Sequence, residues 1–419
     1  MASRLARALT FAAAALLCAP AALAQVRILG QPGSWPTLQT AIDAAVDGDI
    51  LVVEDGSYTG NFTIDDKALT VLARNIGQAF IFGHCAVRNL AGKRSVSLVD
   101  LHIQAPNSSN LEPPSGLTLS DCAGQVLIQG CTLRGGKFSS QYYPGTPAGH
   151  GLEAQTCERV LVVGSSLVGQ DFGSWSGGEP RSGGDGLRAV ESAVVVYSSL
   201  LQGGEGSHES NPEGGDGGAG ARVSGWGLFA AGTTFKGGRG GGGDYIGCTL
   251  SGDGGDGITL TQAQAWLLDD TLIPGLAGFF STCGPGSPGL PITANNSVVQ
   301  QLPGKARNLV GPAWTFDNSS TAITVSGQPG DSVWLLHAPQ GAWAFAPALN
   351  GWAAIPRPWR MPIVPAGVIG AGGTLVVPLE IPDLSGSESG WMWSLQALCV
   401  DPAGKTFLSS PRGLIVVDT

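Results

Sequence analysis

Apolar positions recur in this chain with two periods at once. Within short stretches they alternate, and the stretches themselves return every 34 to 37 residues. Units beginning at Gly116 (GLTLSDCAGQVLIQGCTL), Gly151 (GLEAQTCERVLVVGSSL), Gly186 (GLRAVESAVVVYSSL), Gly220 (GARVSGWGLFAAGTTF) and Gly257 (GITLTQAQAWLLDDTL) share one text. Each reads glycine, an alternating stretch, a polar corner, a β-branched run, then Ser/Thr-Leu or Thr-Phe. A fixed period of this size marks a repeat architecture. The alternation is strand-like, and no unit carries helical spacing or enough apolar surface to fold alone. The units must therefore stack on one another.

Stacking predicts columns. Leu117, Leu152, Leu187, Ala221 and Ile258 form one. Leu119, Ala154, Ala189, Val223 and Leu260 form another two residues on, so both face the core. Leu133, Leu167, Leu200, Phe235 and Leu272 are predicted as a third inward row. Thr118, Glu153, Arg188, Arg222 and Thr259 are predicted to point outward. An earlier unit, from Ala86 to Ile103, matches the Gly116 unit at equal length. Ile50 to Glu54 and Ala68 to Ala73 have the same character. The prediction is an all-β chain, a parallel β-helix (solenoid).

LQTAIDAA from Leu38, DGDILVV from Asp47 and GSY from Gly56 resemble the opening of pectin-lyase-like right-handed parallel β-helix proteins. The resemblance covers roughly residues 26–295. It implies a right-handed coil with a short N-terminal capping helix, here Thr37 to Ala45. A cap is physically needed, because an open solenoid end exposes core and strand edges. The fold hosts lyases, hydrolases and non-enzymatic binding proteins alike. In the family, lyases use Ca²⁺-binding carboxylates with an Arg or Lys base, and hydrolases use clustered aspartates.

Past about Asn295 the period stops. Residues 296–311 read as a linker, and residues 312–419 as a small antiparallel β-sandwich holding seven of the eleven tryptophans. Its strand candidates are Ala322 to Ser326, Ser332 to His337, Gly373 to Ile381, Trp391 to Val400 and Gly413 to Val417. VSGQPGDSVWLL from Val325 is similar to a C-terminal module on many large secreted bacterial proteins.

Residues 1–24 read as a secretory signal: Arg4 and Arg7, an apolar run from Ala8 to Ala19, and an A-x-A site ending at Ala24. The expected location is extracellular or at the cell surface. No later run is long enough for a membrane-spanning helix. The formal net charge of −10 argues against a nucleic-acid partner and is compatible with a cation or a glycan. Cys122 and Cys157 share a column, within reach either of a disulfide or of a buried thiol ladder. Cys248 and Cys283 are a second candidate pair, and Cys399 has no obvious partner.

Four glycine-rich excursions leave equivalent points of the repeat: Gly135 to His150, Gly169 to Asp185, Gln202 to Ala219 and Gly237 to Asp256. They are expected to emerge side by side as a wall. Gly-Gly-Asp-Gly recurs in them at Asp185, Asp216 and Asp256. These carboxylates are candidate Ca²⁺ ligands. The competing reading is that Asp ends the loop and Gly permits a turn. Glu153, Arg188 and Arg222, with His150 beside them, are the candidate ligand-binding face. The competing reading there is a solvated rung-to-rung ladder. Tyr142, Tyr143 and Trp175 are candidate sugar-stacking residues, or anchors of the loops; Phe172 and Tyr245 have the same two readings. No tight carboxylate cluster marks a catalytic centre. The predicted function is a structural or glycan-binding surface protein with an extracellular polysaccharide as partner. A polysaccharide lyase or glycoside hydrolase is the alternative.

Overall fold

The computed structural model describes residues 25–107, 114–137, 148–172, 174–175, 181–209, 214–242, 250–279, 284–338, 344–355, 363–384 and 390–418. The proposed signal sequence, Tyr142, Tyr143, Tyr245, Cys248 and Cys283 lie outside them, as does the side chain of Trp175.

Each turn of the coil has three strands, and successive turns pair in parallel. The two leading core columns fall as the repeat predicts: Leu117 pairs Leu152, Leu152 pairs Leu187, Leu187 pairs Ala221, and Ala221 pairs Ile258. All five are fully buried. The third row needs one correction. Leu201, not Leu200, stands between Leu167 and Phe235 and is buried. Ser198 takes a positive φ at the corner, where Gly164 does so one rung earlier, and this sets the phase of the strand. A one-residue slip exchanges inward and outward positions.

The Ala86–Ile103 unit matches Gly116 only in its second half. Ser95 pairs Gln125 and Ile103 pairs Leu133, thirty residues apart, but Val87 pairs Leu119, thirty-two apart. The two extra residues sit in the corner. Corners carry one left-handed residue per rung: Asn89, Asp121, Thr156, Glu191, Gly225, Gln262 and Asn296. The polar character of this position follows, since Asn, Asp and Gly tolerate that conformation best.

The capping helix is present over Leu38–Ala44. Thr37 is its N-cap, its hydroxyl accepting from Thr40 N, and Leu38, Ala41 and Ile42 are buried on the coil.

The second strand of each rung is apolar on both faces. Val160 and Val162 point into the coil, while Leu161 and Val163 join a second apolar cluster with Val195, Tyr197 and Phe229. The partner of that outer face is the C-terminal module. Its Trp393, Leu395 and Leu414 belong to the same cluster. Gln129 exchanges two hydrogen bonds with the Gly413 backbone, at 3.0 and 2.7 Å. The module packs a three-stranded against a six-stranded sheet, largely antiparallel. All five expected strands form, at Ser320–Ser326, Ser332–Ala338, Thr374–Glu380, Gly390–Val400 and Arg412–Val417. Residues 296–311 are more than a linker. Val298–Leu302 pairs with Gln264–Leu268 in the last rung, and Asn308–Val310 already pairs in the module.

Ser95, Gln125, Arg159 and Ala193 each open the second strand of their rung. Gly227, Gln264 and Val298 continue the row.

Candidate functional site

The glycine excursions are ordered by their own backbone. On the return side, Gly214 and Gly217 donate to Leu250 and Asp253 of the next excursion, whereas Gly215 and Gly218 donate to Ser207 and Gly204 of the outgoing segment. The pattern repeats every three residues, the period of a polyproline II helix. Two positions of each triplet face other backbone, and the third faces outward. A Cβ at Gly204 would collide with the Gln170 carbonyl, and one at Gly218 with the Gly184 carbonyl. None of these glycines has a positive φ. They are required by close approach, so the turn reading of Gly-Gly-Asp-Gly is corrected.

The third position is where the acidic residues sit, and each caps the next rung. Asp185 Oδ1 accepts from Ala219 N at 2.7 Å, and Asp256 Oδ1 from Leu290 N at 2.8 Å. Asp216 Oδ1 accepts from Asp253 N at 2.8 Å. Asp185 and Asp256 therefore share a row, while Asp216 lies one triplet upstream of it. The structure does not bring the three carboxylates together. Among the described residues no group of three His, Cys, Asp or Glu side chains is placed to hold a metal ion.

Glu153, Arg188 and Arg222 do align on the outward face of adjacent strands. Each meets the residue that precedes the first strand of the previous rung. Ser115 Oγ donates to Glu153 Oε2 at 2.9 Å. Arg222 Nε and Nη2 donate to Asp185 at 3.0 and 3.3 Å. Arg188 Nη1 stands 3.2 Å from His150 Nε2. His150 is buried, and its Nδ1 accepts from Asp185 N at 2.9 Å. The neutral ring thus carries its proton on Nε2, beside a second donor. Burial holds the His150 pKa below its ordinary value; the Arg188 and Arg222 charges add to this, and Asp185 and Glu153 oppose it. The strip is chiefly a diagonal ladder between rungs.

Phe172 packs on Ala148, with the Arg181 guanidinium 5.1 Å from its ring centre, which fits the anchoring reading. Cys122 and Cys157 are paired in register, buried and unbonded, so the thiol-ladder reading holds. Cys399 is also free and buried.

One cleft was not anticipated from the sequence. It holds about 600 Å³ where the corners of five rungs meet the C-terminal module. Trp226, Trp266 and Trp352 line it with Gln262, Gln264 and Asn296. Trp266 and Trp352 are fixed by Phe345, at ring-centre distances of 4.8 and 5.7 Å. Tyr197 further pins Trp352, its hydroxyl accepting the Trp352 backbone N–H at 3.0 Å. Trp226 is different. It follows the left-handed corner residue, a position held elsewhere by Cys122, Cys157, Ser192 and Ala263, all buried. An indole cannot fit there, and Trp226 is 54% exposed. The Cys122–Cys157 column, extended two rungs, contains this signal.

No protein-family profile matches this chain, and no curated protein matches it. Among solved structures it is similar to ORF18 of Geobacillus virus E2, with 13% identity and a TM-score of 0.23 over 88% of this chain and 80% of that one.

Proposed function

We propose that this is a secreted or cell-surface β-solenoid protein that binds a glycan in the cleft between coil and C-terminal module. The observation that carries the reading is Trp226, a large apolar ring held in water at a position built for a small buried residue. Such local rule-breaking concentrates at functional positions. An exposed indole beside fixed indoles offers flat faces to the apolar face of a sugar ring. Gln262, Gln264 and Asn296 offer paired donors and acceptors for its hydroxyls. The signal-like N-terminus supports the location. Arg222 and Trp226 lie four residues apart, at most about 13 Å along an extended chain. A polymer crossing the first strands can therefore touch both the charged strip and the cleft.

Glycoside hydrolysis commonly uses two carboxylates. The cleft presents one, Glu158, with Arg159 Nη2 at 3.6 Å. Binding without turnover is accordingly the reading proposed. The test is retention on a panel of immobilised polysaccharides, with Trp226→Ala beside wild type and equal melting temperatures as the folding control. Retention of one glycan, lost in the variant, is expected. Retention of none, or equal retention by both proteins, overturns the reading. Release of reducing or unsaturated ends would replace it with the enzyme alternative.

A further inference from the structure

We propose that the Trp226 cleft is one half of a longer groove, and that its other half takes an anionic group of the same linear glycan, laid parallel to the coil axis. The proposal rests on the glycan reading above and extends it to a second subsite and a substrate class.

A second cavity of about 310 Å³ lies along the same junction. Its lining includes Lys93, Arg94 and Arg159, together with Ser95 and Gln125. Arg159 lines both cavities. The floor is one continuous row, because the residues that open the second strands line one cavity from Ser95 to Arg159 and the other from Arg159 to Val298. Seven rungs at the spacing of paired strands give a floor about 29 Å long. The C-terminal module contributes Trp391 and Met392 at one end and Trp352 at the other.

The two halves differ in chemistry. The Trp226 half is aromatic and amide-rich. The second half has three basic side chains in its lining, of which Arg159 faces Glu158 at 3.6 Å and Lys93 carries the unpaired charge. Arg94 is held in place by Asp47 and Asp66, at 2.8 and 2.6 Å. Lys93 makes no ion pair among the described residues. Guanidinium and ammonium groups suit an oxyanion, whether carboxylate or sulfate ester. Aromatic stacking at one end and charge at the other also fix the direction in which the chain lies.

The experiment is titration calorimetry of the full-length mature protein. The probes are uncharged, carboxymethylated and sulfated forms of one oligosaccharide backbone retained in the panel above, as disaccharides and hexasaccharides. Charged hexasaccharides are expected to bind about tenfold tighter than uncharged ones, a gap that narrows in high salt. Lys93→Glu should remove that gap by weakening charged hexasaccharides more than uncharged ones. Arg159→Gln, with an unchanged melting temperature, should narrow it. The carboxymethyl and sulfate arms show which oxyanion is preferred. If charge gives no gain, or Lys93→Glu does not reduce it, the anionic subsite is wrong while loss on Trp226→Ala leaves the glycan reading intact. If hexasaccharides bind no tighter than disaccharides, the extended groove is wrong. If no form binds wild type, both readings fall.

Discussion

The backbone N–H of Asp253 donates to the carboxylate of Asp216, 37 residues earlier, at 2.8 Å. Asp253 then does the same for Ser287 N, at 2.6 Å. The same relation joins Asp171 to Glu205 N at 2.9 Å. In a glycine array whose other two N–H groups per triplet bond to neighbouring backbone, the third has no such partner, and an acidic side chain from the rung before supplies it. A carboxylate accepting a backbone N–H is a charge-assisted bond. These aspartates need no ion to explain their spacing.

Excess chelator is therefore expected to leave the melting temperature unchanged. Asp253→Ala should lower it by roughly a degree or two, because it removes the acceptor for Ser287 N. A fall in melting temperature on chelation, restored by calcium, would return the metal reading.

Close packing of the array makes its glycines irreplaceable. Gly218→Ala places a methyl group against the Gly184 carbonyl and should cost about 1–3 kcal/mol or more. Gly370→Ala, where nothing lies within 4 Å, should be tolerated. Denaturant melts compare the two directly, and equal stabilities would refute the close-packed array.

Burial decides the coil. Leu187→Asp leaves a carboxylate unpaired in the core and should destabilise by on the order of 5 kcal/mol or abolish folding. Thr118→Asp points outward and should be tolerated. Leu161→Asp also points away from the coil, yet it should behave like the core variant because the C-terminal module covers it. Near-native melting of Leu161→Asp would mean that the module does not hold its docked position in solution.

His150 gives the folded state a pH dependence. Its pKa is lowered on folding, chiefly by burial, so the unfolded chain binds its proton first as pH falls. The stability associated with the neutral ring is complete above the unfolded value of about 6.5 and is lost as pH drops below it. Glu153, Asp185, Arg188 and Arg222 face the ring and set the extent. His150→Asn, whose side-chain oxygen can accept the Asp185 N–H, should show a smaller loss of melting temperature between pH 6.5 and 5 than wild type. An identical loss in both would place the acid sensitivity elsewhere.

Much of the fold was legible because stacking makes each rung repeat the same environment. Leu117, Leu152 and Leu187 are the same residue type because they occupy the same place. The outward alignment of Glu153, Arg188 and Arg222 was legible for the same reason, whereas the helical cap begun by Thr37 was expected from the resemblance of the opening motifs. Leu200 was misplaced because the corner phase, set by the positive φ of Ser198, changes nothing in composition that marks it. The offset at Val87 was hidden because matching Ala86 to Gly116, where the structure pairs it with Thr118, made two units of different corner length look equal.

The repeat thus determined a coil, its core columns and the side-by-side exit of its loops. It could not show what those loops do, because glycine carries no side chain to pattern. Whether Gly218 turns the chain or lets two backbones touch depends on what stands opposite. Nor could it show the groove. Runs such as LVV at Leu161 and VVVY at Val194 are apolar on both faces, which states that something covers the outer one but not what. Only tertiary packing put the C-terminal module there, and only that packing turned a corner tryptophan and three basic residues, Lys93, Arg94 and Arg159, into the two ends of one groove. Columns are legible because neighbours in a repeat are fixed by period. A groove between two units is made of residues that no period relates.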